Sequence, residues 1–204
     1  MKNIYTLISI LIISLTVYFS FNDLSPSSKK SIESTGFSVE NALNHLKVIT
    51  KEPHYTSSYY HQEVQNYIIN ELDKMGLETE IQNQVVLSSR RVGTNAANII
   101  GTIKGSRSGK SLVLLTHYDS SAHSSFGASD AGSGVVTILE GVRAFLSKNI
   151  IPLNDIHVVF TDAEEIGLLG AEAFVKNHKL IDNVGLVLNF EARGSGGPSY
   201  MLME

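Results

Sequence analysis

A chain of 204 residues is long enough for one domain, and 43% hydrophobic residues are enough to give that domain a core. A net charge of −4 offers no basic face for nucleic acid. With no cysteine, disulfides, thiolate zinc sites and cysteine nucleophiles are excluded.

The first element reads as a targeting segment. Residues Ile4 to Phe21 carry no charge, and Lys2 precedes them. At about 1.5 Å rise per residue their length approaches the roughly 30 Å hydrocarbon thickness of a bilayer. Tyr18, Phe19 and Phe21 stand where a secretory signal needs small residues for cleavage. An uncleaved membrane anchor is therefore favoured, with secretion expected only if the segment is cut. An N-terminus-inside arrangement places the rest of the chain outside the cytoplasm. Residues 22–36 follow as a polar, Ser-rich linker, and residues 37–204 as the folded domain.

Within that domain Ser38 caps a helix with Val39, Leu43, Leu46 and Ile49 as its apolar stripe, ending near Pro53. Ser57 or Ser58 starts a longer helix. Val64, Tyr67, Ile68, Leu72 and Met75 recur at helical spacing there, and Gly76 is its stop. Leu77–Leu87 and Ala97–Ile103 read as strands able to pair antiparallel, with the turn GSRSG after the second. The pattern then becomes βαβ. Ser111–Thr116 is a continuous apolar run, as in a strand buried on both faces. Val135–Leu146 reads as a helix, Ile156–Phe160 as a strand, Leu168–Lys176 as a helix and Val184–Phe190 as a strand. Met201–Glu204 looks like the start of one more. Strands separated by helices of this length imply an α/β fold with a mostly parallel, mixed sheet covered on both faces.

His117, Asp119, Asp130, Glu164, Glu165 and Glu191 fall at or just past strand ends, or in the loops that follow. In open α/β sheets ligands bind at that edge. Taken singly, each has an ordinary reading: a strand-end histidine, a turn aspartate, an N-cap aspartate, a solvated acidic helical turn. Their convergence decides otherwise, because three successive strand ends deliver acids to one edge and the first also delivers a histidine. Imidazole and carboxylates are the ligands of a hard or borderline cation. His117 and Asp119, two apart, suit a ligand and the carboxylate that orients it. Small residues around Asp130 let the backbone approach a ligand closely, and an aspartate there can bridge two cations. Of the adjacent acids Glu164 and Glu165, one can hold metal while the other takes a proton from water.

The motifs THYDSS, GASDAGSGV, FTDAEEIGLLGA and NFEARGSGG, in that order, resemble the zinc aminopeptidase family of co-catalytic dizinc exopeptidases that includes aminopeptidase Y. NFEA, with Glu where Asp is commoner, is most similar to the membrane-bound branch of endoplasmic-reticulum metallopeptidases. The resemblance runs from about residue 37 onward. It implies the zinc exopeptidase fold, a three-layer α/β/α sandwich behind one transmembrane helix. It also implies two Zn2+ ions: His117 and Glu191 on the first, Glu165 on the second and Asp130 bridging them. Glu164 would be the general base for a metal-activated hydroxide, and Asp119 would orient His117. The expected substrate is a peptide or protein with a free N-terminus, with no nucleic acid partner, and a site of this type can also accept cobalt or manganese.

Two departures carry expectations of their own. Asp130 is followed by Ala131, where the family often has a second Asp. The family's second zinc also takes a histidine well downstream of Glu191, and no histidine follows His178. The chain is therefore expected to be an N-terminal fragment, with an incomplete second zinc site and an unpaired sheet edge. His45, His54, His61, His123, His157 and His178 match no ligand motif and are expected at the surface or in loops, with His123 able to touch substrate. The alternatives are a glutaminyl-cyclase-like acyltransferase with one zinc on the same fold, and an inactive remnant serving as an interaction module.

Overall fold

The computed structural model describes residues 2–24, 36–87, 93–122 and 124–192. The chain forms two units, one with the N-terminal helix and the other spanning residues 30–193. Helix α1, Lys2–Leu24, contains a stretch, Ile4–Asn22, that is long and apolar enough to cross a membrane. Its described side chains are all exposed, and a helix apolar all round needs apolar surroundings.

The domain begins with α2, Val39–Ile49, and Ser38 Oγ accepts the Asn41 N–H at its start. Its buried stripe differs from the one expected: Ala42 and Ile49 are buried and Leu43 is exposed. The helix packs on α4, and the small Ala42, not Leu43, takes the facing position. Helix α3, Tyr59–Lys74, is capped by Ser58 and buries His61, Val64, Gln65, Ile68 and Leu72, with Tyr67 and Met75 only partly covered. Gly76 closes it in a left-handed conformation, φ +76°.

Five strands follow: β1 Glu78–Leu87, β2 Gly93–Ile103, β3 Ser111–His117, β4 Ile156–Thr161 and β5 Val184–Asn189. They form one sheet in the order β1-β2-β4-β3-β5. Only β2 runs against the others, pairing antiparallel with β1 and β4, while β3 is parallel to both β4 and β5. Helices α2, α3 and α4 (Gly132–Leu146) cover one face over a core that includes Ile99, Val158 and Phe160. Helix α5 (Leu169–Asn177) covers the other over Ile100, Val113 and Val159. This is the expected three-layer sandwich. Helix α4 starts three residues earlier than the sequence suggested. Gly134, a breaker by propensity, lies where a Cβ would strike Thr116 Oγ1 and the Phe190 carbonyl, so the helix passes the strand ends only without a side chain there. Among the described residues β5 pairs on one side only, and Leu186 and Val187 are about half exposed. The strand expected at Met201–Glu204 lies outside the described residues.

One buried charge fastens α2 to α4. The carboxylate of Glu140, fully buried, accepts the Ser38 N–H at 2.7 Å and both Nε and Nη2 of Arg143 at 2.7 Å. Burial pushes its pKa up, but the Arg143 guanidinium and the Ser38 amide outweigh burial and hold it below the usual glutamate value. Glu140→Gln should therefore cost about 3 kcal/mol in chemical denaturation at neutral pH. The wild type should lose this contribution as pH falls below about 4.3 and through the depressed pKa, whereas the variant should not. Equal stability of the two proteins at neutral pH would contradict the assignment.

Candidate metal centre

The parallel register sets the C-terminal ends of β3, β4 and β5 side by side, with His117 opposite Thr161 and Leu115 opposite Asn189. His117 is the last residue of β3, and its ring is buried. Nδ1 lies 3.0 Å from the Asp119 backbone carbonyl, which can only accept, so Nδ1 carries the proton. Nε2 is thereby free to face the site. It lies 2.9 Å from Asp130 Oδ1, 3.8 Å from Glu191 Oε2 and 3.9 Å from Glu164 Oε2. His117, Asp130 and Glu191 each offer one donor atom, all within 4.8 Å of one another. This mixed nitrogen and oxygen set fits a hard or borderline divalent cation. Burial alone would lower the His117 pKa, but the nearby carboxylates of Asp119, Glu191 and Glu164 push it up to about 11. The cluster thus carries an excess of negative charge that a divalent cation would balance.

Asp119 is wholly buried two residues past the strand. Its Oδ1 sits 3.4 Å from His117 Nδ1, so the closer orienting contact to the ring comes from its carbonyl. The carboxylate instead gathers donors from elsewhere. Its Oδ1 accepts the Glu164 N–H at 3.0 Å, and Oδ2 accepts the Glu165 N–H and the Thr56 hydroxyl at 3.2 Å. Burial pushes this carboxyl up, and His117 and the two amides more than reverse that.

Asp130 does not cap α4, because Ala131 holds the N-cap position and makes no side-chain bond there. The peptide between these two residues is cis. Glu164 and Glu165 follow β4 in a tight loop closed by left-handed Ala163 (φ +56°) and Leu168 (φ +59°). Burial and neighbouring acids raise the pKa of both. Glu164 faces His117. Glu165 lies outside the three-residue group and instead lines a cleft of about 180 Å³ with Tyr55, Thr56, Thr94, Ser120 and Ile166. Glu191, just past β5, is held below the usual range by the His117 ring 3.8 Å away, against burial.

Several buried residues went unread in the sequence. His54, His61 and His157 are not surface histidines, since each is at most 7% exposed. His61 Nε2 pairs with Asp162 Oδ1 at 2.8 Å and stacks on Tyr118, and His157 Nδ1 meets Thr102 Oγ1 at 2.9 Å. His54 donates its N–H to Ser120 Oγ. Their partners lie far away along the chain, so no local motif marks them. His61 was nonetheless legible as the first member of the helical stripe His61, Val64, Ile68, Leu72. Asp162, 1% exposed, also accepts the Ala163 and Ala97 amides and so fixes the loop that carries Glu164. His45, half-buried, meets the Tyr67 hydroxyl at 2.7 Å, and His178 stacks on Phe174. His123 lies outside the described residues.

Solved structures of a glutaminyl cyclase from Porphyromonas gingivalis and of a zinc-dependent exopeptidase from Parabacteroides distasonis share the fold. The former has TM-score 0.68 and 21% identity, over 78% of this chain and 60% of its own. The latter has TM-score 0.61 and 23% identity, over 72% and 58%. The model of peptidase family M28 matches residues 98–204. The vacuolar membrane protease of Schizosaccharomyces japonicus is 34% identical over 181 residues, covering 83% of this chain and 21% of its own length. That of Candida albicans is 33% identical over an alignment of 213 positions, covering 98% and 24%. The chain belongs to peptidase family M28, and it spans about a fifth to a quarter of the length of these two relatives.

Because Asp119 holds the Glu164 and Glu165 amides, Asp119→Asn should release them. Its amide group cannot accept both, leaving a buried donor without a partner at a cost of about 1–3 kcal/mol. Hydrogen exchange at the two amides should quicken relative to the β3 and β4 strand amides. Unchanged protection would count against this role for Asp119.

Proposed function

We propose that the chain carries the metal-binding part of a zinc metallopeptidase, an aminopeptidase anchored in a membrane by residues 4–21, with residues 22–36 as linker and 37–204 as peptidase domain. The observation that carries this reading is the convergence of Asp130, Glu191 and Glu164 on Nε2 of one buried imidazole whose other nitrogen is held by a backbone carbonyl. His117, Asp130 and Glu191 would hold one zinc, and Asp130 and Glu165 would hold a second. When bound, zinc supplies a Lewis acid to the peptide carbonyl and to the attacking water. Glu164 would take the proton from that water and pass it to the departing amine. Asp119 holds the backbone of Glu164, keeping this carboxylate over the site. Glu165 also lines the cleft, so a substrate amine entering there would arrive beside the second zinc, which fits removal of N-terminal residues. The peptidase domain would stand on the extracytoplasmic or lumenal side, as the relatives' name, vacuolar membrane protease, also suggests.

A second reading has one observation in its favour. Among the described residues only three donors converge, with Glu165 apart, as suits a single-zinc acyltransferase of the glutaminyl cyclase type. Substrate choice separates the two: release of an N-terminal residue from a peptide with a free amine, against cyclisation of an N-terminal glutamine.

In the intact protein, Glu164→Gln should keep its zinc by elemental analysis and lose turnover by about 10²–10⁴-fold. Retained turnover would remove Glu164 from the role of base. His117→Ala should lose zinc and turnover together. N-acetylation of a peptide substrate should abolish cleavage, and equal cleavage of blocked and free peptides would exclude an aminopeptidase.

A further inference from the structure

The end of the sheet opposite the site has a character of its own. The register sets the end of β2 beside the start of β4, Ile103 opposite Ile156, and the start of β4 beside that of β3. The connections there are residues 104–110, 147–155 and 178–183. In the second, Ile150, Ile151 and Leu153 are 55%, 71% and 60% exposed, three aliphatic side chains within four residues. Single exposed apolar residues are ordinary, but a cluster rimmed by polar groups marks a contact surface. The rim is basic. Lys104, Arg107, Lys110, Lys148 and Lys179 are exposed in these connections, against two acids, Asp155 and Asp182. Asp155 is already engaged by the Gly105 N–H at 2.8 Å and by Lys104 at 3.6 Å. Ser106 and Arg107 donate their amides to the Pro152 and Leu153 carbonyls, so the basic loop is tied to the apolar one. Other acids at this end, such as Glu40, Asp73 and Glu78, belong to α2, α3 and β1.

The third observation is where the chain enters the domain. Gly36 accepts a hydrogen bond from Arg143 Nη2 at 2.6 Å, and Ser38 donates to Glu140. Both partners lie near the C-terminal end of α4, which runs on into Lys148 and the apolar loop. Gly36 and Ser38, among the first described residues of the domain, thus lie at its basic, apolar end.

We infer that this end is a membrane-docking face. Ile150, Ile151 and Leu153 enter the headgroup and acyl boundary, while Lys104, Arg107, Lys110 and Lys148 meet anionic headgroups. A lipid surface is the occupant because the basic rim complements it and the domain's first described residues, Gly36 and Ser38, lie at the same end. The inference rests on the reading of residues 4–21 as an anchor. It turns the site, at the far end of the roughly 20 Å strand β4, away from the bilayer and towards soluble substrates.

The absence of native cysteine makes the test direct. Ile151→Cys and, at the site end, exposed Ser121→Cys are each labelled with the environment-sensitive fluorophore NBD. The full chain is then reconstituted in phosphatidylcholine–phosphatidylserine vesicles with and without nitroxide-labelled lipid. At position 151 the emission should shift to the blue and be quenched by the nitroxide, and at 121 it should do neither. Adding Lys104→Glu and Lys148→Glu should reverse the blue shift. An unquenched 151 probe in a chain that resists carbonate extraction overturns the docking and leaves the anchor. An unquenched but blue-shifted probe overturns it in favour of a protein contact. Quenching at 151 in a chain that carbonate extracts keeps the docking and overturns the anchor. A chain neither retained nor quenched overturns both.

Discussion

The site depends on the burial of one carboxylate. Asp119 has no access to water, and an unpartnered buried charge is prohibitively costly, so its oxygens must be satisfied by the protein. Two of the donors that satisfy it are the amides of Glu164 and Glu165, which follow a different strand. Meeting the needs of Asp119 therefore fixes the loop after β4 against the end of β3. The same residue's carbonyl fixes the tautomer of His117. The imidazole, the carbonyl that orients it and the neighbouring acids are all referenced to one point. The acids are positioned through their backbone, and their carboxylates stay free to face outward.

Behind this hub lies a second buried polar layer. Asp162 joins His61 of α3, the Ala97 amide of β2 and the left-handed Ala163 at the start of the acidic loop. Tyr118, between His117 and Asp119, stacks on His61 and bonds the Ala97 carbonyl and Gln65. The described side chains leave no buried polar atom without a partner. A fully satisfied network of this kind is rigid, and rigidity is what a site needs when four carboxylates crowd one imidazole. Mutual repulsion would otherwise spread the acids. The fold resists that spreading with main-chain and buried contacts, so the charge excess is available to a cation.

The apolar runs of β3 and β4 and the capped helices were legible because burial on two faces and a 3.6-residue period are local signals. The grouping of His117, Asp130, Glu164 and Glu191 was legible because strand ends are easily located and these residues lie at them or in the loops that follow. Residues that act through distant partners were not. Asp162 and His61 are 101 positions apart, and although the helical stripe marks His61 for burial, nothing local marks Asp162 as its partner. Gly134 was misread because propensity reports the cost of glycine in a helix and says nothing of the strand ends it must clear. Leu43 was misread because hydrophobicity ranks side chains, whereas a close helix crossing selects for a small one, here Ala42.

The pair Glu164 and Glu165 shows how local geometry gives two adjacent, mutually repelling acids different surroundings. Side by side on a regular strand, two acids would point to opposite faces, and on a helix they would diverge by about 100°. Here the loop is neither. Both amides point inward to a single carboxylate, and left-handed turns at Ala163 and Leu168 close the loop on either side. With their amides held in common, the side chains separate: Glu164 reaches the His117 nitrogen, and Glu165 reaches the cleft beside Thr94. Exchanging the two positions would not exchange their surroundings, because those surroundings are set by which amide each oxygen of Asp119 holds. The division between a carboxylate beside His117 and one facing the cleft is thus made by the backbone.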